Sequence, residues 1–304
     1  MSEPERNTAP RPHRSALHHD GPGPGFAVTV LPASPYQVSY VPAHHVIGFT
    51  FERQRGVDAF GSARRRLFDA EPWRLAFTPA GCDVFSASDR GGEYLMLTVA
   101  PETFARLAPG IARGRLPQFT NVADPLFTPL ATGLRRATML GAAISPLVME
   151  TLAAAVVERV SVLLGAGTPR VTPERRMTSR RLKRILDHFE ARLGEEIRLA
   201  DLASDIGLSE SYLAHTFRAA TGTTLHAALL DRRIARARSL IEAALRRGAP
   251  ASLADVAAVT GFSSHAHMTT AFRRVLGVTP SEWMRMMVSR SPRGSTDHAS
   301  PADD

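Results

Sequence analysis

Residues 199–209 run Leu199-Ala-Asp-Leu-Ala-Ser-Asp-Ile-Gly207-Leu-Ser209, and residues 253–263 run Leu253-Ala-Asp-Val-Ala-Ala-Val-Thr-Gly261-Phe-Ser263. Leu199, Ala200, Asp201, Ala203, Gly207 and Ser209 have counterparts in Leu253, Ala254, Asp255, Ala257, Gly261 and Ser263. The match continues through Phe217-Arg218 and Gly222 into Phe272-Arg273 and Gly277, with one extra residue between glycine and phenylalanine in the second copy. A period of 54–55 residues marks an internal repeat, one supersecondary unit used twice.

Each copy has the logic of a helix, a tight turn and a second helix. The first helix buries Leu199, Leu202 and Ile206, or Leu253 and Val256. Ala203 and Ala257 are small where the second helix crosses closely. Gly207 and Gly261 can take the positive φ of the turn. Ser209 and Ser263 are placed to cap the next helix by accepting its orphan N–H groups. That helix anchors with Leu213 and Phe217, or Met268 and Phe272, and its other face is polar and small, as a groove-reading helix requires. One copy alone is equally a plain helical hairpin. Two copies flanking a helix of about 225–247, with Leu230, Ile234, Ala237, Ile241 and Leu245 along one side, suit two readers on a rigid spacer. Such readers enter successive major-groove segments about 34 Å apart.

Charge supports the same reading. The chain of 304 residues carries a formal +8, and residues 170–290, with 20 basic and 12 acidic side chains, hold all of the excess. The remainder is balanced. A basic surplus confined to one segment suggests an anionic polymer as partner, which the paired readers make double-stranded DNA; by charge alone it is equally a merely soluble basic surface. Hydrophobic residues make up 44% of the chain, enough for a real core. A single cysteine, Cys82, excludes a disulfide scaffold and a cysteine-based zinc cluster, and reads as a lone structural thiol. The Pro/Gly/His/Arg-rich start has no apolar signal segment. The most apolar run, 144–164, is interrupted by Glu150, Glu158 and Arg159, so no membrane association is expected. The expected location is the cytoplasm, with the nucleoid when DNA is bound.

The Ala203, Gly207-Leu-Ser pattern, the Arg232-Arg-Ile-Ala-Arg-Ala-Arg-Ser-Leu run, and Val256-Ala, Gly261-Phe-Ser, Phe272-Arg-Arg and Gly277-Val-Thr-Pro-Ser resemble the AraC/XylS family of bacterial transcription regulators. The resemblance covers residues 178–288. It implies a domain of about seven helices that binds asymmetric or repeated operators as a monomer or dimer and activates by contact with RNA polymerase. Residue by residue, it implies base-reading positions at Ser211, Ala214 and His215 in the first copy, and at His265, Ala266, Thr269 and Thr270 in the second. Ser209, Tyr212, Arg218, Ser263, Ser264 and Arg273 are assigned to phosphate contact or helix-end positioning. These faces depart from members that place Arg, Gln or Trp there, so bidentate arginine–guanine readout is not evident. Phosphate contacts, thymine-methyl contacts and DNA deformation carry more of the expected recognition. Arg232, Arg233, Arg236 and Arg238 read as a solvated charge run, one or two of them touching phosphate or pairing with Asp231, Asp201 or Asp255.

The expected fold class is α+β. A cupin-like β barrel or sandwich with helices comes first, followed by an all-α domain with two helix-turn-helix motifs joined by a long helix. The boundaries are a disordered tail at 1–25, a sensing and dimerisation domain at 26–165, a linker at 166–178, the DNA-binding domain at 179–290 and a disordered tail at 291–304. Apolar runs at 26–31, 36–41, 46–51, 73–77, 82–85 and 94–99, separated by turn residues, read as strands. Trp73–Gly81 and Glu93–Pro101 resemble the cupin-like sensing domain of many family members, which implies a small-molecule effector in the barrel mouth. Val148, Leu152, Val156, Val160 and Leu163 form a helical stripe that either packs on its own barrel or forms a homodimer.

His44, His45 and Glu52 invite a metal, but adjacent histidines on a strand point to opposite faces and the cupin His-x-His spacing is absent. No nucleophile–base motif, P-loop or dinucleotide fingerprint occurs. Arg64-Arg65-Arg66 reads as a solvated loop, or as an anionic-effector contact. No enzyme, metal or cofactor is therefore expected. Three rivals stay open: an effector-independent dimeric regulator, a cupin-type metal enzyme with a DNA-binding appendage, and a non-specific DNA-packaging protein.

Overall fold

The computed structural model describes residues 17–20, 25–111, 116–165, 177–248 and 251–290. The expected linker, apart from 177–178, and the expected C-terminal tail lie outside these residues.

Strands fill the first part of the chain: β1 (Leu17–Asp20), β2 (Phe26–Leu31), β3 (Tyr36–Tyr40), β4 (His45–Thr50), β5 (Gln54–Phe60), β6 (Arg66–Ala70), β7 (Arg74–Thr78), β8 (Val84–Ser88), β9 (Tyr94–Val99) and β10 (Phe119–Ala123). They pair antiparallel in two sheets, one ordered β1-β2-β9-β4-β7-β10 and the other β3-β8-β5-β6. The two sheets are separate, and no closed barrel forms among the described residues. β1 corrects the expectation of an unstructured start to residue 25, because Leu17–Asp20 pairs along β2.

Side-chain alternation gives the larger sheet two unlike faces. On one, register aligns Phe77, Ile47, Leu97 and Val28 in one row and Leu75, Phe49, Leu95 and Val30 in the next. All eight are almost fully buried. This face is covered by α1 (Pro101–Leu107), α2 (Phe127–Leu140) and α3 (Pro146–Gly165). The opposite face carries Thr78, Val46, Ala76, Gly48, Met96, Arg74, Thr50 and Tyr94, and it borders a cavity shared with the smaller sheet.

The α3 stripe turns inward. Met149, Ala153, Val156, Val160 and Leu163 are buried within their own domain, where α3 packs on α2. Val148, expected on the same stripe, is 44% exposed, and Leu147 and Val162 are also exposed. α2 was not legible from periodicity. It buries Phe127, Thr128, Ala131, Leu134, Arg135, Ala137, Thr138 and Met139, which wrap round several of its faces, so no single stripe appears.

Seven helices follow: α4 (Ser179–Ala191), α5 (Leu199–Ile206), α6 (Glu210–Thr221), α7 (Leu225–Arg246), α8 (Leu253–Val259), α9 (His265–Leu276) and α10 (Pro280–Arg290). The hydrophobic core runs without a break from the sheet through α2 into this helical domain. Among the described residues no helix is long and apolar enough to cross a membrane.

Candidate nucleic-acid interface

α5, a turn and α6 form the first unit. Gly207 ends α5 in the left-handed region at φ 71°, ψ 42°, and the Leu208 N–H then donates to the Ala203 carbonyl at 3.0 Å. Ser209 caps α6, its hydroxyl accepting from the Tyr212 N–H at 3.3 Å. Leu213 and Phe217 are fully buried. Ser211, His215 and Arg218, at spacings of four and three, share one exposed face; Ala214 and Tyr212 are half-buried beside it.

α8, a turn and α9 form the second unit. Gly261 turns the chain at φ 79°, and the Phe262 N–H donates to the Ala257 carbonyl at 2.9 Å. The cap is Ser264, whose hydroxyl accepts from the His267 N–H at 3.1 Å. The expected cap, Ser263, instead hydrogen-bonds the His267 ring at 3.0 Å. The extra residue of the second copy is taken up in this turn, which moves the cap one position along. Ala266, Thr270 and Arg273 then occupy the face that Ser211, His215 and Arg218 occupy in the first copy, and all three are exposed. His265 is exposed on the first turn, with Thr269 half-buried 3.4 Å from its ring. His215 and His265 are therefore not equivalent: His265 stands where the first copy has Glu210. Arg274, exposed one residue beyond Arg273, was not singled out from the sequence.

The N-terminal domain grips the far ends of both reading helices. Gly222, in the left-handed region after α6, packs so closely on Pro125 that an added Cβ would strike the Pro125 carbonyl. Thr128 donates to the Thr221 carbonyl at 2.6 Å. Trp73, at φ 59°, sets its ring edge-on to Phe217 at 5.7 Å. Gly277, after α9, sits where a Cβ would come within 2.8 Å of Leu140. Pro125 precedes α2 and Leu140 ends it, so this one helix spans both units and leaves the exposed first turns free.

Buried ion pairs seal the contact. Glu93 accepts from Arg238 of α7 at 2.8 Å and from Arg135 of α2 at 3.4 Å, and Arg135 also donates to Asp231 at 3.0 Å. Burial alone would raise the Glu93 pKa, but Arg238 and Arg135 outweigh it and hold the carboxyl below its ordinary range. Burial, reinforced by Glu93, raises the neighbouring Glu52 carboxyl. The guanidinium of Arg238 lies 4.9 Å from the Trp283 ring and that of Arg135 lies 4.1 Å from the Phe51 ring. The α7 arginines thus correct the solvated-run expectation. Arg232 pairs with Glu190 at 2.6 Å and Arg233 donates to the Leu193 and Glu195 carbonyls, while of the four arginines in the run, Arg232, Arg233, Arg236 and Arg238, Arg236 alone is exposed. The spacer is clamped between domains, so most of its cations face protein.

The second feature is the inter-sheet cavity, of about 640 Å³, lined among others by Tyr36, Tyr40, Tyr94, Gln54, Phe68 and Met96. His45 does not face it. Its ring packs on Phe77 and Phe104 and its Nδ1 accepts from the Ala80 N–H at 3.0 Å, a structural role. Burial, then the neighbouring His44, lowers its pKa.

Residues 202–286 match the helix-turn-helix domain family. Over 105 residues the chain is 33% identical to the "Probable transcriptional regulator LumQ" of Photobacterium leiognathi, covering 34% of this chain and 40% of that protein. The C-terminal domain belongs to the AraC/XylS family. A second relative, the HTH-type transcriptional regulator ExsA of Pseudomonas aeruginosa, is 28% identical over 107 residues, 35% of this chain and 37% of that protein. The DNA-binding domain of AdpA, a global transcriptional factor solved with a target DNA, is 26% identical with a TM-score of 0.34, covering 38% of this chain and all of that one. The chain thus spans well under half the length of the two curated relatives, and the sequence matches confine the AraC/XylS assignment to the helical domain.

Proposed function

We propose that this protein is a transcription regulator that reads double-stranded DNA through the first turns of α6 and α9 and answers to a small molecule in its inter-sheet cavity. The observation that carries the reading is the pair of second helices, clamped at their C-terminal ends and exposed at their N-terminal turns. Phosphate contacts come from Ser209, Tyr212, Arg218, Ser263, Ser264 and Arg273. Base edges face Ser211, Ala214 and His215, and His265, Ala266, Thr269 and Thr270. The working units are residues 26–165 and 179–290, and the two facing sheets around a cavity favour the cupin-like reading of the first.

The mechanism is a shift in interdomain geometry. Tyr94, the first residue of β9, lines the cavity, and Glu93 just before it meets Arg238 and Arg135, so a molecule against Tyr94 presses on the residue next to the interdomain ion pair. A ligand moves this equilibrium only by its differential affinity for the docked and released states. The homodimer contact falls to the exposed side of α3, where Leu147, Val148 and Val162 face outward. Activation proceeds through RNA polymerase, in the cytoplasm. No site for catalysis enters this reading, and regulator relatives support a binding protein.

Footprinting on genomic fragments recovered with the protein tests the core claim. The expected result is discrete protection, with ~10³-fold or greater preference over unrelated duplex. Uniform weak protection at every sequence would overturn it.

A further inference from the structure

We infer that the inter-sheet cavity takes a neutral, oxygen-bearing ring compound, not an anion or a cation; this rests on the effector reading above. The cavity wall carries four charged side chains, Asp58, Arg66, Asp69 and Arg74, and every one is already paired. Arg66 donates to Asp58 at 2.9 Å, Asp69 is held by Arg53 and Arg55, and Arg74 by Glu71. A charged ligand entering this space would shed its hydration without finding a free counter-charge, which is unfavourable.

The unused polar capacity is of another kind. Tyr36 is engaged, with Ser86 at 3.2 Å and Gln54 at 3.4 Å. Among the described residues neither the Tyr40 nor the Tyr94 hydroxyl has a hydrogen-bond partner, though both side chains line the cavity. Burial, then the neighbouring groups, pushes Tyr40 up to about 12 and raises Tyr94 further, so both are neutral phenols that donate and accept at physiological pH. Gly48 supports the placement: a Cβ there would collide with the Tyr94 hydroxyl, so the glycine lets that ring lie across β4. Much of the remaining wall is apolar or aromatic, with Phe60, Phe68, Met96, Val46 and Val84, and Gln37, Thr78, Thr120 and Asn121 add neutral polar groups. A ring system with two outlying oxygens pairs both phenols and lays its apolar body on the aromatic wall.

An isosteric series isolates the charge. Full-length protein is titrated calorimetrically with para,para′-biphenyldiol, unsubstituted biphenyl, biphenyl dicarboxylate and biphenyl bis(methylammonium), alone and in the Tyr40→Phe/Tyr94→Phe variant. The diol is expected to bind about tenfold or more tightly than either charged analogue, and the double variant to erase its advantage over biphenyl. Thermal unfolding of the variant checks that the fold is kept, and Ala76→Leu, which narrows the cavity, should weaken every member of the series. A charged analogue binding as tightly as the diol, a diol affinity unchanged by the double variant, or no binding by any member would each overturn the inference. DNA affinity, measured in parallel, separates the two readings. If the dicarboxylate binds and shifts DNA affinity, the effector reading stands and the neutral class falls. If the diol binds and DNA affinity does not move, the class stands and the effector reading falls.

Discussion

The two helix-turn-helix units are near-copies in sequence and unlike in their surroundings. Gly207 turns in open space, whereas Gly261, at the same point of the repeat, packs on the Leu193 carbonyl and on Arg233. Gly222 abuts the fixed backbone of Pro125, whereas Gly277 abuts the movable side chain of Leu140. The repeat specifies a local conformation. What a residue costs or contributes is then set by the element packed on it.

The largest effect should come from neither copy but from the helix between them. Arg238→Met leaves Glu93 buried with only the 3.4 Å contact to Arg135. Removing one partner of a buried ion pair costs about 3–5 kcal/mol, read by denaturant unfolding. A loss under ~1 kcal/mol would mean that the domains separate readily and the clamp is weak. The same site gives an acid signature. Because the Glu93 carboxyl is held below its ordinary range, its contribution is complete above about pH 4.3 and lost as pH falls through the folded value. Glu93→Gln should flatten that acid limb.

Glycine substitutions come next and test the comparison directly. All four positions have positive φ, so alanine at each should cost about 1 kcal/mol from backbone conformation alone. Gly222→Ala and Gly261→Ala should exceed this by about 1–3 kcal/mol, because rigid backbone blocks the new methyl. Gly207→Ala should stay near the base cost, with Gly277→Ala between. Thermal melts that ranked Gly207 with Gly222 would show that surroundings do not distinguish the copies.

The caps sharpen the register difference. Ser209→Ala and Ser264→Ala should each cost about 1 kcal/mol, while Ser263→Ala, outside the cap, should fall within about 0.5 kcal/mol of the parent. Equal losses at Ser263 and Ser264 would return the cap to the position that the first copy suggests. The smallest stability effects belong to the exposed faces, where the readout is DNA binding. Arg218→Ala and Arg273→Ala, at matched positions, should each reduce the salt slope of binding by about one unit. His215→Ala should alter base preference in one half of the site only, and Thr270→Ala, its structural counterpart, in the other. An identical preference profile for both variants would contradict two separate readers.

Much of this was legible beforehand, for reasons particular residues show. β2 and β9 were read at their observed limits because Phe26–Leu31 and Tyr94–Val99 are mainly apolar runs, each with one threonine, bounded by turn residues. The reading helices were legible because Leu213, Phe217, Met268 and Phe272 fall at helical spacing beside turn glycines. β6 was missed because Arg66–Ala70 lies at the edge of the smaller sheet and is mostly exposed, without the apolar run that marks an interior strand. Arg135 carried a signal that was passed over, since a cation among the apolar residues of α2 announces a buried partner.

By itself the sequence determined the helical domain, its doubled unit and the positions that face outward, because glycine turns, caps and 3.6-residue spacing act over a few residues. Only the tertiary structure decided which arginines of α7 meet protein and which meet solvent, where the second cap lies, and that a single helix braces both units. Those outcomes depend on partners far apart in the chain, as with Arg238 and Glu93, 145 residues away. No local pattern records a charge that finds its counter-ion only after two domains have packed.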